Sequence, residues 1–454
     1  MIRMKRTKPA TSGEKGMRTH SVTLHFTNDK KATGAFLKGK VVTNCDDSEG
    51  VVRTIPGWEL VLDSDGNKLN GNVNNLLEVN SVKMKIGNEY KEVYYLLTKS
   101  GSVLCYREDL KAFYVLLANK ADARVFPVNG KNGSWLAICT KMGFFLAEPD
   151  GSSYKTVFEK NTMAVGAFFK HRVFLGGRGG LVRYSAPEDF ENFTLSDDEG
   201  GEIAFPNCGG ELIAMKPFQD ALYLFFERGI VRLKAGGEPS GFYAERLDYT
   251  GGDIFPRMIC VCQHAVYFLA RSGLYRLKGK TTERLDLETQ LPTEIAGDEG
   301  CAVWKDMPMF RFKVKSLFQV LMITENGKSS VLMQDFKVLG GENNTVLFLN
   351  NKSEVCRLAE NGTDGIEGKF YTEFIDFGRV DMKRIERLRF YGEGEIYCSI
   401  WWEQGFLTKR LSFDSGYAEW KIDRAERGKE FRLQLTLYYK SQIRQVVVDY
   451  KTWG

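Results

Sequence analysis

The groups in this 454-residue chain that could do chemistry are four histidines, nine cysteines and 58 acids, and their spacing decides which chemistry is open. His20, His25, His171 and His264 lie far apart or inside strand-like stretches, which suits neither a metal set nor a base beside a nucleophile. No Gly-x-Ser-x-Gly elbow and no Gly-x-x-x-x-Gly-Lys-Ser/Thr phosphate loop occurs. Gly176-Gly177-Arg178-Gly179-Gly180 is glycine-rich, but no helix follows whose dipole would hold a phosphate, so it reads as a tight hairpin. Cys260 and Cys262 are two apart; on a strand they share a face and could share a metal. No second cysteine pair or histidine cluster accompanies them, and packing as small hydrophobes is the plainer reading.

The carboxylates admit two further chemistries. Asp189, Glu191, Asp197, Asp198, Glu199 and Glu202 are hard oxygen ligands at close spacing, and Asp63, Asp65 and Asn67 approach a calcium loop. Lys68 stands where such a loop needs glycine and Asn74 where it needs a bidentate glutamate, so both segments read as solvated loops. A glycosidase pair could be drawn from so many acids, yet no Ser-x-Asp-x-Gly-x-Thr box is present. Trp401, Trp402 and Trp420 could form sugar platforms, but they sit in strand patterns where core packing is the default. The sequence therefore assigns no catalytic, cofactor-binding or metal-binding residue, and no enzyme activity.

The elements that would position any site are strands. One phrase recurs five times: YLLTKSGSVLCY (95–106), LAICTKMGFFLA (136–147), VFLGGRGGLVRY (173–184), LYLFFERGIVRL (222–233) and VYFLARSGLYRL (266–277). Its turn glycines, Gly101, Gly143, Gly180, Gly229 and Gly273, follow at intervals of 42, 37, 49 and 44 residues. A period of roughly 40 to 50 residues built from antiparallel strands predicts an all-β fold, a β-propeller, because one blade cannot bury both its faces alone. FQVLMITENGKSSVLM (318–333) and VLFLNNKSEVCRL (346–358) make one further blade or parts of two, so the count is six or seven. The hairpin-like GKVVTNCDDSEGVVRTIPGWELVL (39–62) is placed to close the ring by joining the last blade.

A polar connector at 359–365 marks a change of strand type, and about six strands between Lys369 and Tyr450 predict a small C-terminal β-sandwich. The expected domains are a basic flexible arm over 1–21, a propeller over 22–360 and a sandwich over 366–454. Bases exceed acids by five, 63 against 58, and Arg3, Lys5, Arg6, Lys8, Lys15 and Arg18 supply that excess from the arm, which leaves the body near neutral. The arm, or the cluster Arg379, Lys383, Arg384, Arg387 and Arg389, could approach DNA; solvated charge is the plainer reading of both. The scattered cysteines indicate a reduced, cytosol-made protein, and no secretion signal or membrane span is evident.

The wording of several segments carries more. Arg172 to Phe193 (RVFLGGRGGLVRYSAPEDFENF), then Gly210 to Phe218 (GELIAMKPF) and LYLFFERGIVRL, resembles propeller proteins of bacteriophage tails. In these a strand ending in Tyr-Ser leads into an Asp-Phe-x-x-Phe phrase. GVVRTIPGWE (50–59) is similar to their start, and Tyr371 to Gly378 (YTEFIDFG) through Lys383 and Ile385 to the sandwich that follows them. The resemblance implies a non-enzymatic structural component of a virion tail, made in the host cytoplasm. It would act as a nozzle, hub or connector ring subunit with a homo-oligomeric ring and other tail proteins as partners. A cellular interaction propeller and a carbohydrate-binding or carbohydrate-active propeller are the alternatives, since the fold hosts all three uses.

Overall fold

The computed structural model describes residues 4–6, 17–25, 39–43, 45–46, 52–54, 57–359 and 368–453, except 87, 121–122, 131–132, 160–162, 196–198, 288–290, 292–298, 315–316, 324–328, 333–338, 342–344, 373, 375–380, 424–426 and 439–440. Strands dominate; the helical content among the described residues is two single 3-10 turns, Arg178–Gly180 and Pro239–Gly241. The chain divides into two compact units. One comprises Leu60–Ser329 and Gln334–Arg357, the other Met1–Glu59, Ser330–Met333 and Leu358–Gly454.

The larger unit is a seven-bladed β-propeller. Blades 1 to 5 are four-stranded antiparallel sheets whose innermost strands are Leu76–Ile86, Arg124–Gly130, Val165–Phe169, Leu212–Phe218 and Ile254–Val261. Blade 6 begins with Gly300–Trp304, Met307–Val314 and Leu317–Ile323, and blade 7 with Leu339–Gly340, Leu347–Leu349 and Val355–Leu358. Each innermost strand lies against that of the next blade, and Leu339–Gly340 returns to Leu76–Ile86, so the ring is closed. The outermost strand of blade 7 is Trp58–Leu60, from the start of the chain, as the hairpin grammar of 39–62 predicts. Just beyond it the Val61 N–H donates to the Val355 carbonyl and the Val355 N–H to that of Leu69, which fixes the seam by backbone bonds.

The repeated phrase forms the second and third strands of blades 1 to 5, and 346–358 supplies the same pair in blade 7. Segment 318–333 falls differently: its Leu317–Ile323 strand is the third of blade 6, so the two late hairpins belong to two blades. The turn of that hairpin, Asn326-Gly327, lies outside the described residues. The hydrophobic core is distributed between the sheets. Tyr223, Phe225, Val266 and Phe268 fill the space between blades 4 and 5, and Val173, Leu175, Phe144 and Leu146 that between blades 2 and 3. Each such side chain contributes about 1.5–3 kcal/mol by burial. Inner strands approach closely where glycine permits it: a Cβ on Gly340 would stand 2.0 Å from the Val79 carbonyl oxygen, and one on Gly300 2.6 Å from that of Leu339.

The smaller unit is a β-sandwich. One sheet runs Met4–Arg6, Met17–His25, Gln442–Trp453, Lys383–Glu393, Tyr417–Lys421; the facing one contains Gly39–Thr43, Gly368–Thr372, Arg432–Leu437, Glu395–Trp402 and Gly405–Ser412. Leu388, Phe390, Val446 and Val448 of the first meet Ile396, Cys398, Leu433 and Leu435 of the second in one core. The stretch expected as a flexible arm thus holds two strands. Met17–His25 pairs over its whole length with Gln442–Trp453. The sandwich draws on both ends of the chain rather than on 366–454 alone.

Candidate functional site

The residues that the sequence offers for chemistry are dispersed. His20 stacks on Tyr450 with centroids 5.2 Å apart, His171 lies 3.4 Å from Glu188 and His264 3.7 Å from Asp306. His25 is a strand residue opposite Gln445. Asp63 is saturated by donors: the N–H groups of Asp65 (3.0 Å) and Asn67 (2.7 Å), the Asn67 amide, and the Tyr106 hydroxyl at 2.8 Å. Burial works against its ionisation, but the hydrogen bonds from Asn67 and Tyr106 win and hold it below its ordinary value. It closes a turn and leaves no lone pairs aimed at a cation. In the acidic run Glu191 pairs with Lys155, Glu202 with Arg183 and Asp189 accepts the Glu191 N–H, while Asp197 and Asp198 lie outside the described residues. Gly176 ends a strand and Gly180 turns at φ 72°, as a hairpin requires. Among the described residues no set of three or more His, Cys, Asp or Glu side chains gathers as metal ligands would.

Lys383, Arg387 and Arg389 of the sandwich's basic cluster are internally engaged, while the buried Nε of Arg384 has no hydrogen-bond partner. Lys383 is fully buried and its ammonium donates to the carbonyls of Asp381 (2.9 Å) and Lys429 (2.7 Å). Arg389 meets Asp449 at 2.8 Å, and Arg387 lies within 3.7 Å of both Glu419 and Asp449. Arg379 lies outside the described residues. These charges hold a sheet together.

Groups do converge on the propeller axis. Glu78 of the blade 1 inner strand meets Arg257 of the blade 5 inner strand at 2.8 Å, with side chains 26% and 20% exposed. Blades 1 and 5 are separated by two others, so this pair spans the lumen. An ion pair this exposed contributes on the order of 1 kcal/mol or less, and its consequence is geometric. Cys301, from the blade 6 inner strand, lies within electrostatic reach of Glu78, of Lys216 from blade 4 and of Cys260 from blade 5. Cys260 and Cys262 are both buried, 5% and 4% exposed. Sequence spacing pointed to Cys260 and Cys262 but gave no sign of Cys301, Lys216 or Glu78, which closure of the ring brings together.

Two further constellations hold neighbouring blades. At the seam, Arg357 of blade 7 pairs with Glu92 of blade 1 and meets the Tyr94 hydroxyl at 2.8 Å, while the Ser81 hydroxyl donates to Glu92 at 2.6 Å. Between blades 2 and 3 stands the phrase Asp189-Phe190-x-x-Phe193. Phe190 packs edge-on against Phe168 (5.6 Å) and lines the space over Gly130, and Phe193 packs against Phe158 (4.8 Å) and Phe144 (6.1 Å). Arg172 is buried beneath it, its guanidinium donating to the carbonyls of Ser185 (2.7 Å) and Glu199 and lying over the Tyr184 ring.

The three tryptophans part company. Trp402 and Trp420 are buried in the sandwich core, whereas Trp401 is 37% exposed and stacks on Phe406 at 4.4 Å. The alternation along Glu395–Trp402 turns Tyr397 and Trp401 away from the core, a strand-parity signal already present in the sequence.

No protein-family model matches the chain, and no curated protein matches it. Solved structures similar to it include BamB from Moraxella catarrhalis (TM-score 0.41, 13% identity, covering 72% of this chain and 91% of that one) and BBS1N in complex with ARL6DN (0.31, 13%, 68% and 99%). A third is the extracellular domain of the hybrid two-component system BT4673 from B. thetaiotaomicron (0.41, 10%, 82% and 47%). The sheet count and the ring closure, rather than these likenesses, make the larger unit a propeller. No helix among the described residues is long and apolar enough to cross a membrane.

Proposed function

We propose that this chain is a non-enzymatic structural protein of a bacteriophage tail, a ring subunit that acts as an assembly and interaction scaffold in the virion. The observation that carries the proposal is the use made of the phrase by which the chain resembles tail propellers. Arg172, Ser185, Phe190 and Phe193 are all engaged in joining blade 3 to blade 2 or in closing the turn beneath that contact. A phrase of this kind belongs to a scaffold whose blades must stay in register. Its partners are further copies of itself and other tail proteins. Chemical cross-linking of the purified chain tests this directly: a ladder that stops at one top band is expected of a closed ring, and a single-chain band at every concentration contradicts it.

A second reading has one observation in its favour. The exposed Trp401–Phe406 pair offers an aromatic face of the sort on which sugar rings stack. A carbohydrate-binding sandwich predicts glycan-array signal that Trp401→Ala removes.

A further inference from the structure

We propose that the outermost strand of blade 1, Ala112–Leu117, is a docking edge for the same strand of a second copy of this chain, the two pairing antiparallel about a two-fold axis. An outermost strand leaves one row of N–H and C=O groups without strand partners, and proteins ordinarily guard such an edge with charge. Blades 2 to 5 do so: their outermost strands carry Lys155, Glu202, Glu245 and Glu283, which pair with Glu191, Arg183, Arg232 and Arg276. Ala112-Phe113-Tyr114-Val115-Leu116-Leu117 carries no charge at all. Among the described residues its backbone makes no hydrogen bond beyond its pairing with Val103–Arg107.

The strand is held firmly from within. Phe113 packs edge-on against Tyr106 at 5.3 Å, and Leu116 and Leu117 are buried. Tyr114 and Val115 are 48% and 58% exposed, and as neighbours on a strand they point to opposite faces, so both faces are open at one place. Ala112 to Val115 run in regular register against Arg107 to Leu104, and the irregularity comes only after Val115. An edge ordered in advance gains main-chain bonds to a partner strand without the ordering cost of a flexible segment.

A second copy fits because the segment is complementary to itself about Tyr114. Closely and widely spaced pairs alternate along an antiparallel ladder, so a two-fold axis must carry each pair onto one of its own kind, and one residue then faces its own copy. With Tyr114 at that position, Phe113 faces the partner's Val115, an aromatic and β-branched pair of the kind that stabilises sheets. The same register sets Glu108 against Lys120 of the partner copy. Glu108 is exposed, while its neighbours Asp109 and Lys111 are engaged by Arg107 (2.6 Å) and Asp65 (3.0 Å); the Lys120 ammonium lies over the Phe145 ring. Centring on Val115 instead carries Glu108 two residues past Lys120 and loses the match. A contact of one strand edge belongs to the small, concentration-dependent class. It is independent of the ring proposed above, since a two-fold contact joins two chains, or two rings face to face.

Hydrogen exchange of the wild-type full-length chain over a concentration series tests the proposal without any variant. Peptides covering 112–117 should exchange more slowly as concentration rises, and Val115→Lys, which puts a charge on the edge, should abolish that protection. Tyr114→Cys, gently oxidised, should give a dimer in which both linked peptides contain position 114, because opposed Cα atoms about 4.5–5.5 Å apart lie within disulfide reach. Exchange over 112–117 that ignores concentration, protection that survives Val115→Lys, or position 114 linked to a different segment would overturn the proposal. Annular particles without protection at 112–117 overturn this inference and leave the ring standing; protected dimers without annular particles support it and contradict the ring.

Discussion

At the scale of single residues, buried charge is the feature with the sharpest consequences. Arg172 is 3% exposed and has carbonyl oxygens, not a carboxylate, as its partners, so its removal strands both of them away from water. Arg172→Ala is expected to cost roughly 2–4 kcal/mol in urea unfolding, whereas Arg183→Ala, which loses an exposed pair with Glu202, should stay within about 0.5 kcal/mol. Equal effects would remove the special role of Arg172. Glu92 gives a pH prediction. Burial opposes its charge, but the Ser81 hydroxyl and the Arg357 charge prevail, and its carboxyl lies below the ordinary range. A carboxyl lowered on folding stabilises above its unfolded pKa and loses that contribution as pH falls through the folded value. Stability should therefore decline on acidification below about pH 4.5, the ordinary glutamate range, and Glu92→Gln should flatten that decline in a series of melting temperatures. An unchanged slope would show that the seam network carries no linkage.

At the scale of strands and blades, inner-strand glycines set how closely blades approach. Gly340→Ala puts a methyl group 2.0 Å from the Val79 carbonyl oxygen, and an overpacked contact of that kind costs about 2 kcal/mol or more. Gly236→Ala, with nothing within 4 Å, should cost within about 0.5 kcal/mol. Differential scanning calorimetry of the two variants makes the comparison, and equal melting temperatures would contradict it. Strands of this class are legible in sequence because the repeated phrase is a hairpin buried on both faces, the middle pair of its blade. Blade 6 is harder to read, since the two residues between its middle strands, Met307–Val314 and Leu317–Ile323, are Lys315 and Ser316 and lack the glycine that marks the other copies. Met17–Ser21 reads as part of the arm because Arg18, Thr19, His20 and Ser21 carry no apolar alternation, and the strand that pairs with it, Gln442–Trp453, lies at the other end of the sequence. Trp401 was hidden by its neighbour: adjacent tryptophans on one strand point to opposite faces, and only Trp402 goes to the core. Cys301, Lys216 and Glu78 share no sequence spacing at all; they meet because a closed ring brings inner strands of distant repeats to one axis.

At the scale of the molecule, the chain combines a closed seven-bladed propeller with a sandwich built from both of its ends. The Glu78–Arg257 pair joins the inner strands of blades 1 and 5 across the propeller axis. In the proposed tail role the chain would work through its outer surfaces, as one member of a ring. The measurement closest to that claim is the mass of the purified chain by light scattering over a concentration series, with negative-stain images of the main species. A fixed multiple of the 51.5 kDa chain and annular particles are expected. A mass of one chain at every concentration, with no annular particles, would contradict it.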